Sequence, residues 1–287
     1  MEISFVIVNY YTVDLVKLCI ESLSKNQSLK DINSEIIIID NSNSNEELKK
    51  LNLLNSISKF PVKVKALNKN MGFGYGNNIG SKLSGYENVC FINSDVTADE
   101  TDFNSLLLLL ENKNYGIVSC VIKNSDNTLQ SAGFEKPTLG LEIRNNLLFE
   151  NFSFRKKNKE YSCNEISKVG WVSGAFFLIK KKLFTEIGGF DPTIFMYSED
   201  LDIALTMTSM TGKLCIVDNS TYISHNQVEK KFDKTLLKSI LKNKKNYYYV
   251  MEKHSIYNKI TMTFVKGISF FNSIAIVTFK FLKRKVL

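Results

Sequence analysis

The side chains able to do chemistry fall into three sets. Asp95 follows a strand-like segment in the run Asn93-Ser94-Asp95, and Glu199-Asp200 opens a helical pattern, with Asp202 two residues on and facing elsewhere on that helix. A carboxylate can take a proton from a hydroxyl or hold a cation. Acids at a helix start also simply complement the dipole in solvent, and both readings stand for the Glu-Asp pair. Phe195-Met-Tyr-Ser198 just before it forms an aromatic approach able to wall off water. The second set is His225, which follows a strand; a lone histidine there is either a ligand or an ordinary core or surface residue.

The third set is the glycine cluster Gly72-Phe-Gly74-Tyr-Gly76-Asn-Asn-Ile-Gly80. A dinucleotide fingerprint would follow the first strand and keep its G-x-G-x-x-G spacing, whereas this cluster follows the third strand and the spacing fails at Ile79. No Gly-Lys-Ser/Thr phosphate loop is present either. What remains is a turn opening a helix. It either presents free N–H groups and a positive dipole end to an anionic or strongly polar ligand, or satisfies a backbone that needs φ > 0.

The elements that must position these groups alternate. Ile3–Asn9, Glu35–Asp40, Val62–Leu67 and Asn88–Asn93 read as strands, and Val13–Asn26, Asn45–Ile57, Gly74–Ser84 and Asp102–Asn112 as helices. This order predicts an α/β fold with a largely parallel sheet, helices on both faces and a ligand site at the carboxyl ends of the strands. Asn9, Tyr10, Asp40, Asn41 and Asp95 sit at those ends. After Ile122 the pattern is less regular: a strand or hairpin over Val169–Lys180, a short helix over Lys181–Ile187, an amphipathic helix over Glu199–Met210 stopped by Gly212, and two strands near Lys213–Val217 and Thr221–Ser224.

Composition narrows the function classes. With 287 residues, 44% of them hydrophobic, the chain has ample material for a core, and three prolines rule out a Pro-rich linker. Five widely spaced cysteines without a Cys-x-x-Cys pair suggest reduced core residues in a cytosolic protein, and two histidines exclude a multi-histidine metal cage. The run Met1–Tyr11 has no positive region before its apolar stretch, so a secretory signal is not expected. The net charge of +8 is not spread evenly: from Glu229 onward there are fourteen Lys and Arg against three acidic residues, leaving residues 1–228 at −3. Basicity therefore belongs to the tail, whose partner would be nucleic acid or an anionic membrane surface.

Taken in order, Val6-Ile-Val-Asn-Tyr10, Ile39-Asp-Asn-Ser42, Asn70-Met-Gly-Phe-Gly-Tyr-Gly-Asn-Asn-Ile-Gly80, Asn93-Ser-Asp95, Ser173-Gly-Ala175 and Gly188-Gly-Phe-Asp-Pro-Thr-Ile-Phe-Met-Tyr-Ser-Glu-Asp-Leu-Asp202 resemble glycosyltransferase family 2. Within it the likeness is to bacterial rhamnosyltransferases and galactofuranosyltransferases. The resemblance implies a GT-A fold, taken over residues 1–228; charge and helical periodicity read 229–287 as a basic amphipathic helical tail. It also implies an inverting, metal-dependent transfer of a sugar from a nucleotide diphosphate donor, dTDP-rhamnose or a UDP-sugar, to a hydroxyl of a saccharide or lipid-linked saccharide.

Residue by residue, Asp40 matches the acid that reads the nucleotide base, with Asn9 and Tyr10 beside it, and Gly72 and Asn77 lie in the donor turn. Asp95 and His225 match the ligands of a divalent cation, Mn²⁺ or Mg²⁺, and one carboxylate with one imidazole suits Mn²⁺ better. Asp200 matches the general base, Glu199 a group orienting the acceptor, and Trp171 and Gly174 the segment beneath donor and acceptor. Two other classes compete: a noncatalytic nucleotide-sugar-binding subunit, and a nucleic-acid-binding protein using the tail. The acidic body and the lack of a recognition motif weigh against nucleic acid.

In the tail, Phe232, Leu236, Ile240, Tyr247 and Met251 form one helical stripe opposite many lysines, and Ile268–Phe279 is apolar but too short to span a bilayer. This predicts an interfacial helix holding the protein at the inner face of the cell membrane; packing on the body or a homodimer is the alternative.

Overall fold

A computed structural model of the chain describes residues 1–147, 165–225 and 234–283. The chain divides into two compact units, Met1–Glu135 with Tyr161–Val228, and Lys136–Glu160 with Glu229–Leu287.

In the first unit, β1 (Glu2–Asn9), β2 (Asn33–Asp40), β3 (Val62–Ala66) and β4 (Asn88–Ile92) pair in parallel in the order β3-β2-β1-β4. They are joined through α1 (Val13–Lys25), α2 (Asn45–Leu53) and α3 (Phe73–Leu83). The run Ile36–Ile39 is wholly buried, as a strand covered on both faces requires, while β3 alternates lysine with valine and lies at the sheet edge, where charge discourages further pairing.

The short β5 (Val96–Thr97) leads to α4 (Phe103–Leu110), whose N-cap Asp102 accepts from the amides of Asn104 and Ser105. There follow β6 (Tyr115–Lys123), β7 (Leu129–Gln130), β8 (Gly133–Phe134), β9 (Ile166–Val169), β10 (Trp171–Val172), β11 (Phe176–Lys180) and β12 (Leu214–His225). Beyond β4 the sheet continues β11-β6-β12-β5, with β11 antiparallel to both its neighbours and β12 parallel to β6.

Three expectations change here. The segment Val169–Lys180 is not a hairpin: β10 pairs with β8 in a separate two-stranded sheet and β11 enters the main one, because the Ser173 amide bonds to Ala132 O while Ala175 O is taken by the Asn93 amide. The two strands expected near residue 220 are one strand, β12, interrupted where Asp218 Oδ1 accepts from the Ser220 amide and hydroxyl and pushes the chain out of register before Tyr222. The strand β6, buried along most of its length, adds to the four expected.

The glycine spacing has a structural use. Gly76 and Gly80 of α3 face Val8 and Val6 of β1, and a Cβ on Gly80 would stand 2.2 Å from Val6 Cγ1. Val6 is fully buried in a central strand and cannot yield. Gly80→Ala is therefore expected to lower unfolding free energy by about 1–3 kcal/mol through overpacking, although alanine is the better helix former by up to about 1 kcal/mol. Urea unfolding checks this; an unchanged or raised midpoint would mean that α3 does not sit this close.

The chain reaches the site through α6 (Lys181–Glu186), which follows α5 (Leu139–Leu147) of the second unit in sequence, and then α7 (Glu199–Thr211). Gly212 closes α7 in the left-handed conformation, as expected. Expected to be amphipathic, α7 instead buries much of its first half, Leu201 through Leu205. Cys19, Cys90, Cys120 and Cys215 are buried free thiols whose pKa burial pushes up, and Cys163 lies outside the described residues.

The second unit consists of α5 with α8 (Lys234–Lys253) and α9 (Lys259–Lys283), α9 packing against both. Of the expected tail stripe, Phe232 lies outside the described residues. Met251 is fully buried, and the Tyr247 hydroxyl donates to Glu142 of α5, so this end of the stripe packs inward. Among the described residues no helix is long and apolar enough to cross a membrane.

Candidate active site

The parallel register of β1 and β2 sets Asn9 opposite Asp40 at the carboxyl ends of the strands. The Asn9 amide donates to Asp40 Oδ1 at 2.9 Å and to Ser42 Oγ at 3.1 Å, and its own Oδ1 accepts from the Thr12 amide and hydroxyl, each at 3.0 Å. The Ser42 amide and hydroxyl also donate to Asp40 Oδ1. Asp40 Oδ2, by contrast, is buried without a partner, an acceptor suited to an N–H donor from a ligand. Asn9 and Asp40 are fully buried, whereas Tyr10 is 51% exposed and packs edge-on against Tyr11. From Thr12 the network continues through a 3.1 Å bond to Ser94 Oγ, beside Asp95.

The glycine turn is partly a packing device. Gly72 has φ +93°, and a Cβ there would stand 2.3 Å from Phe195 O. The first helical N–H, that of Phe73, bonds to the same carbonyl at 3.0 Å and is not free for a ligand. Asn77 is buried and turns its amide back to Phe73 O at 3.2 Å. Its neighbour Asn78, which no sequence signal singled out, clamps the Phe190 backbone by two bonds of 2.8 and 2.9 Å and so anchors the segment leading to Glu199.

Antiparallel pairing of β5 with β12 sets His225 opposite Val96, and this brings His225 Nε2 to 3.2 Å from Asp95 Oδ1. Gln130 fixes the imidazole. Its Nε2 donates to His225 O at 3.2 Å and Asn124 Oδ1 at 2.5 Å, so its Oε1, 3.1 Å from His225 Nδ1, must receive that ring proton. The Nε2 lone pair is thereby directed at a carboxylate, an arrangement that calls for a proton or a cation between them. Among the described residues no cluster of three or more His, Cys, Asp or Glu that could hold a metal forms.

Tyr197 and Ser198, both left-handed at φ 70° and 73°, turn the chain into α7. Two such residues in succession are costly and are held by the surrounding structure. Asp200 Oδ1 accepts from the Leu201 amide at 2.9 Å and Oδ2 from the Gly174 amide at 3.0 Å. The next residue after Gly174, Ala175, accepts from the Asn93 amide at 2.9 Å, which ties the Asp200 anchor to the end of β4. Trp171 stacks on Phe134, ring centroids 4.0 Å apart.

Burial lifts both acids above the ordinary carboxylate range; the Gly174 and Leu201 amides pull Asp200 back, while the Asp200 charge pushes Glu199 higher still. Glu199 is buried with Oε2 unpartnered, and Asp200 is half-buried. Backbone N–H groups thus favour the charged form at Asp200, while burial and the neighbouring charge disfavour it at Glu199. Asp202 is buried.

The chain is similar to known proteins. The chain is 26% identical over 213 residues to rhamnosyltransferase WbbL of Escherichia coli (strain K12), covering 71% of this chain and 75% of that one. It is 29% identical over 87 residues to an N-acetylglucosaminyl-diphospho-decaprenol L-rhamnosyltransferase of Mycobacterium tuberculosis, covering 30% of this chain and 28% of the relative. The crystal structure of GalNAc-T7 with UDP, GalNAc and Mn²⁺ superposes with a TM-score of 0.64 at 17% identity, over 88% of this chain; the chain spans about half, 48%, of that protein. The fold is that of the GT-A glycosyltransferases. The family model described as Glycosyl transferase family 2 matches residues 4–203, from β1 into α7, and the chain belongs to that family.

Proposed function

We propose that the chain moves a sugar from dTDP-rhamnose or a UDP-sugar to a hydroxyl of a growing, lipid-linked bacterial polysaccharide, with inversion at the anomeric carbon. The observation that carries this reading is Asp200: a half-buried residue whose carboxylate is raised by burial and fixed on both oxygens by backbone N–H groups. In one displacement the acceptor oxygen bonds to the anomeric carbon as the bond to the diphosphate breaks, and the hydroxyl proton passes to Asp200. A raised pKa brings the base nearer the operating pH, where general-base catalysis is most effective. Glu199, protonated beside it, is able to donate a hydrogen bond to the acceptor without competing for the proton. The unpartnered Asp40 Oδ2 suits a nucleotide-base N–H.

Asp95 and His225 fit a divalent cation. Their separation of 3.2 Å is what two neighbouring ligands of an ion with bonds of about 2.1 Å would have, and the mixed oxygen and nitrogen set suits Mn²⁺. Such an ion, when bound, offsets the charge developing on the diphosphate. The Mn²⁺ in the GalNAc-T7 structure and the rhamnosyltransferase names of the relatives support this choice of cofactor and donor class, and the decaprenol in the mycobacterial relative's name supports a lipid-linked acceptor.

The test is a thermal-shift series of dTDP- and UDP-sugars with Mn²⁺. A donor at about 100 times its Kd adds roughly 2.7 kcal/mol of stability. If no nucleotide sugar shifts the transition with metal present, the donor assignment fails.

A further inference from the structure

Over its described side chains, residues 259–272, the helix α9 is turned with its more apolar face outward. Met262, Val265, Ser269 and Asn272 are buried at spacings of one helical face, and two of these are polar; Lys244 of α8 donates to both Ser269 O and Ser269 Oγ at 2.6 Å. The outward side carries Ile260, Phe264, Phe270 and Phe271, which are 83%, 54%, 55% and 71% exposed. A soluble helix normally shows the opposite distribution, and so many large apolar side chains side by side mark an interaction surface.

We propose that this face of α9 docks on an anionic lipid bilayer, the helix lying in the interfacial plane. Charge selects this occupant over a second copy of the chain. Residues 253–287 contain seven Lys and Arg and no Asp or Glu, so two copies meeting through α9 would bring like charges together, whereas acidic headgroups neutralise them. Lys259 stands before the exposed run and Lys280, Lys283, Arg284 and Lys285 follow it in sequence, which suits an apolar strip flanked by headgroup contacts. The helix does not meet the length and apolarity that crossing requires. The surface is independent of the reaction proposed above, and its test is binding, not turnover.

The experiment is sedimentation of the full chain with phosphatidylcholine vesicles, with and without phosphatidylglycerol, at low and high salt. Binding should require phosphatidylglycerol and weaken with salt, and Phe264→Ser with Phe271→Ser should lower the partition coefficient by at least about tenfold. Circular dichroism verifies that the double variant is folded. A second variant, Phe271→Trp, reads the surface directly: on adding phosphatidylglycerol vesicles its emission should shift to the blue and be quenched by spin-labelled lipid, relative to the parent with its single Trp171. Three results would overturn the proposal: no sedimentation with anionic vesicles at low salt, unchanged binding by the folded double variant, or a concentration-dependent dimer that the double variant abolishes while the emission of the Phe271→Trp variant ignores lipid.

Discussion

Asp200→Asn is expected to keep the fold and donor affinity while lowering kcat by roughly 10² or more, the loss typical of a missing general base. The amide retains the shape but keeps one acceptor oxygen, so it can serve the Gly174 or the Leu201 N–H and not both; unchanged donor affinity and circular dichroism therefore accompany the kcat measurement, to separate proton transfer from positioning. The pH profile sharpens this expectation. Burial raises the Asp200 pKa, so the acid limb should fall at a higher pH than an ordinary carboxylate would give: activity is lost as pH drops through the raised value and is full above it. Glu199→Gln should leave that limb in place, because burial and the Asp200 charge keep Glu199 neutral through the range in which Asp200 titrates. Near-normal kcat in Asp200→Asn, or a limb that moves in Glu199→Gln, would transfer the role to Glu199.

Asp95→Ala is expected to abolish metal-dependent donor binding. It removes the charged member of a two-residue set, so its effect on Mn²⁺ affinity should exceed that of His225→Ala, and Gln130→Leu, which only frees the imidazole to turn, should cost roughly 10–100-fold. Titrating Mn²⁺ in the presence of nucleoside diphosphate, followed by the electron paramagnetic resonance of the free ion, ranks the three. Donor binding by the parent protein that ignores EDTA would remove the metal from the account.

Why these residues meet was only partly legible beforehand. The union of Asn9 and Asp40 follows from two continuous apolar strands in parallel register, and such runs are plain in the sequence. Asp95 and His225 were marked individually, but what joins them is β5, a strand of two residues that no periodicity reveals. Gln130 sits on another two-residue strand; Asn124-Ser-Asp-Asn-Thr128, with Asn127 left-handed, was the turn signal for the hairpin that returns it to the site. The glycine cluster reads in the sequence as a ligand turn or a backbone needing φ > 0; the contacts of Gly76 with Val8 and of Gly80 with Val6 show instead a helix pressed on a strand, a tertiary contact that local sequence does not display. Tyr197 and Ser198 give no sequence signal of φ > 0, since neither type favours it. In the tail the amphipathic pattern was visible, but which face turns outward depends on the packing of α5, α8 and α9, so among the described residues Phe264, Phe270 and Phe271 of α9 are exposed along with Tyr249 of α8.

The most direct measurement is the anomeric configuration of the bond formed when the purified protein, Mn²⁺ and a dTDP- or UDP-sugar that raises its melting temperature are supplied with a saccharide acceptor, read by proton nuclear magnetic resonance of the product. A single displacement assisted by Asp200 gives the configuration opposite to that of the donor. A product that retains the donor's configuration would contradict the account.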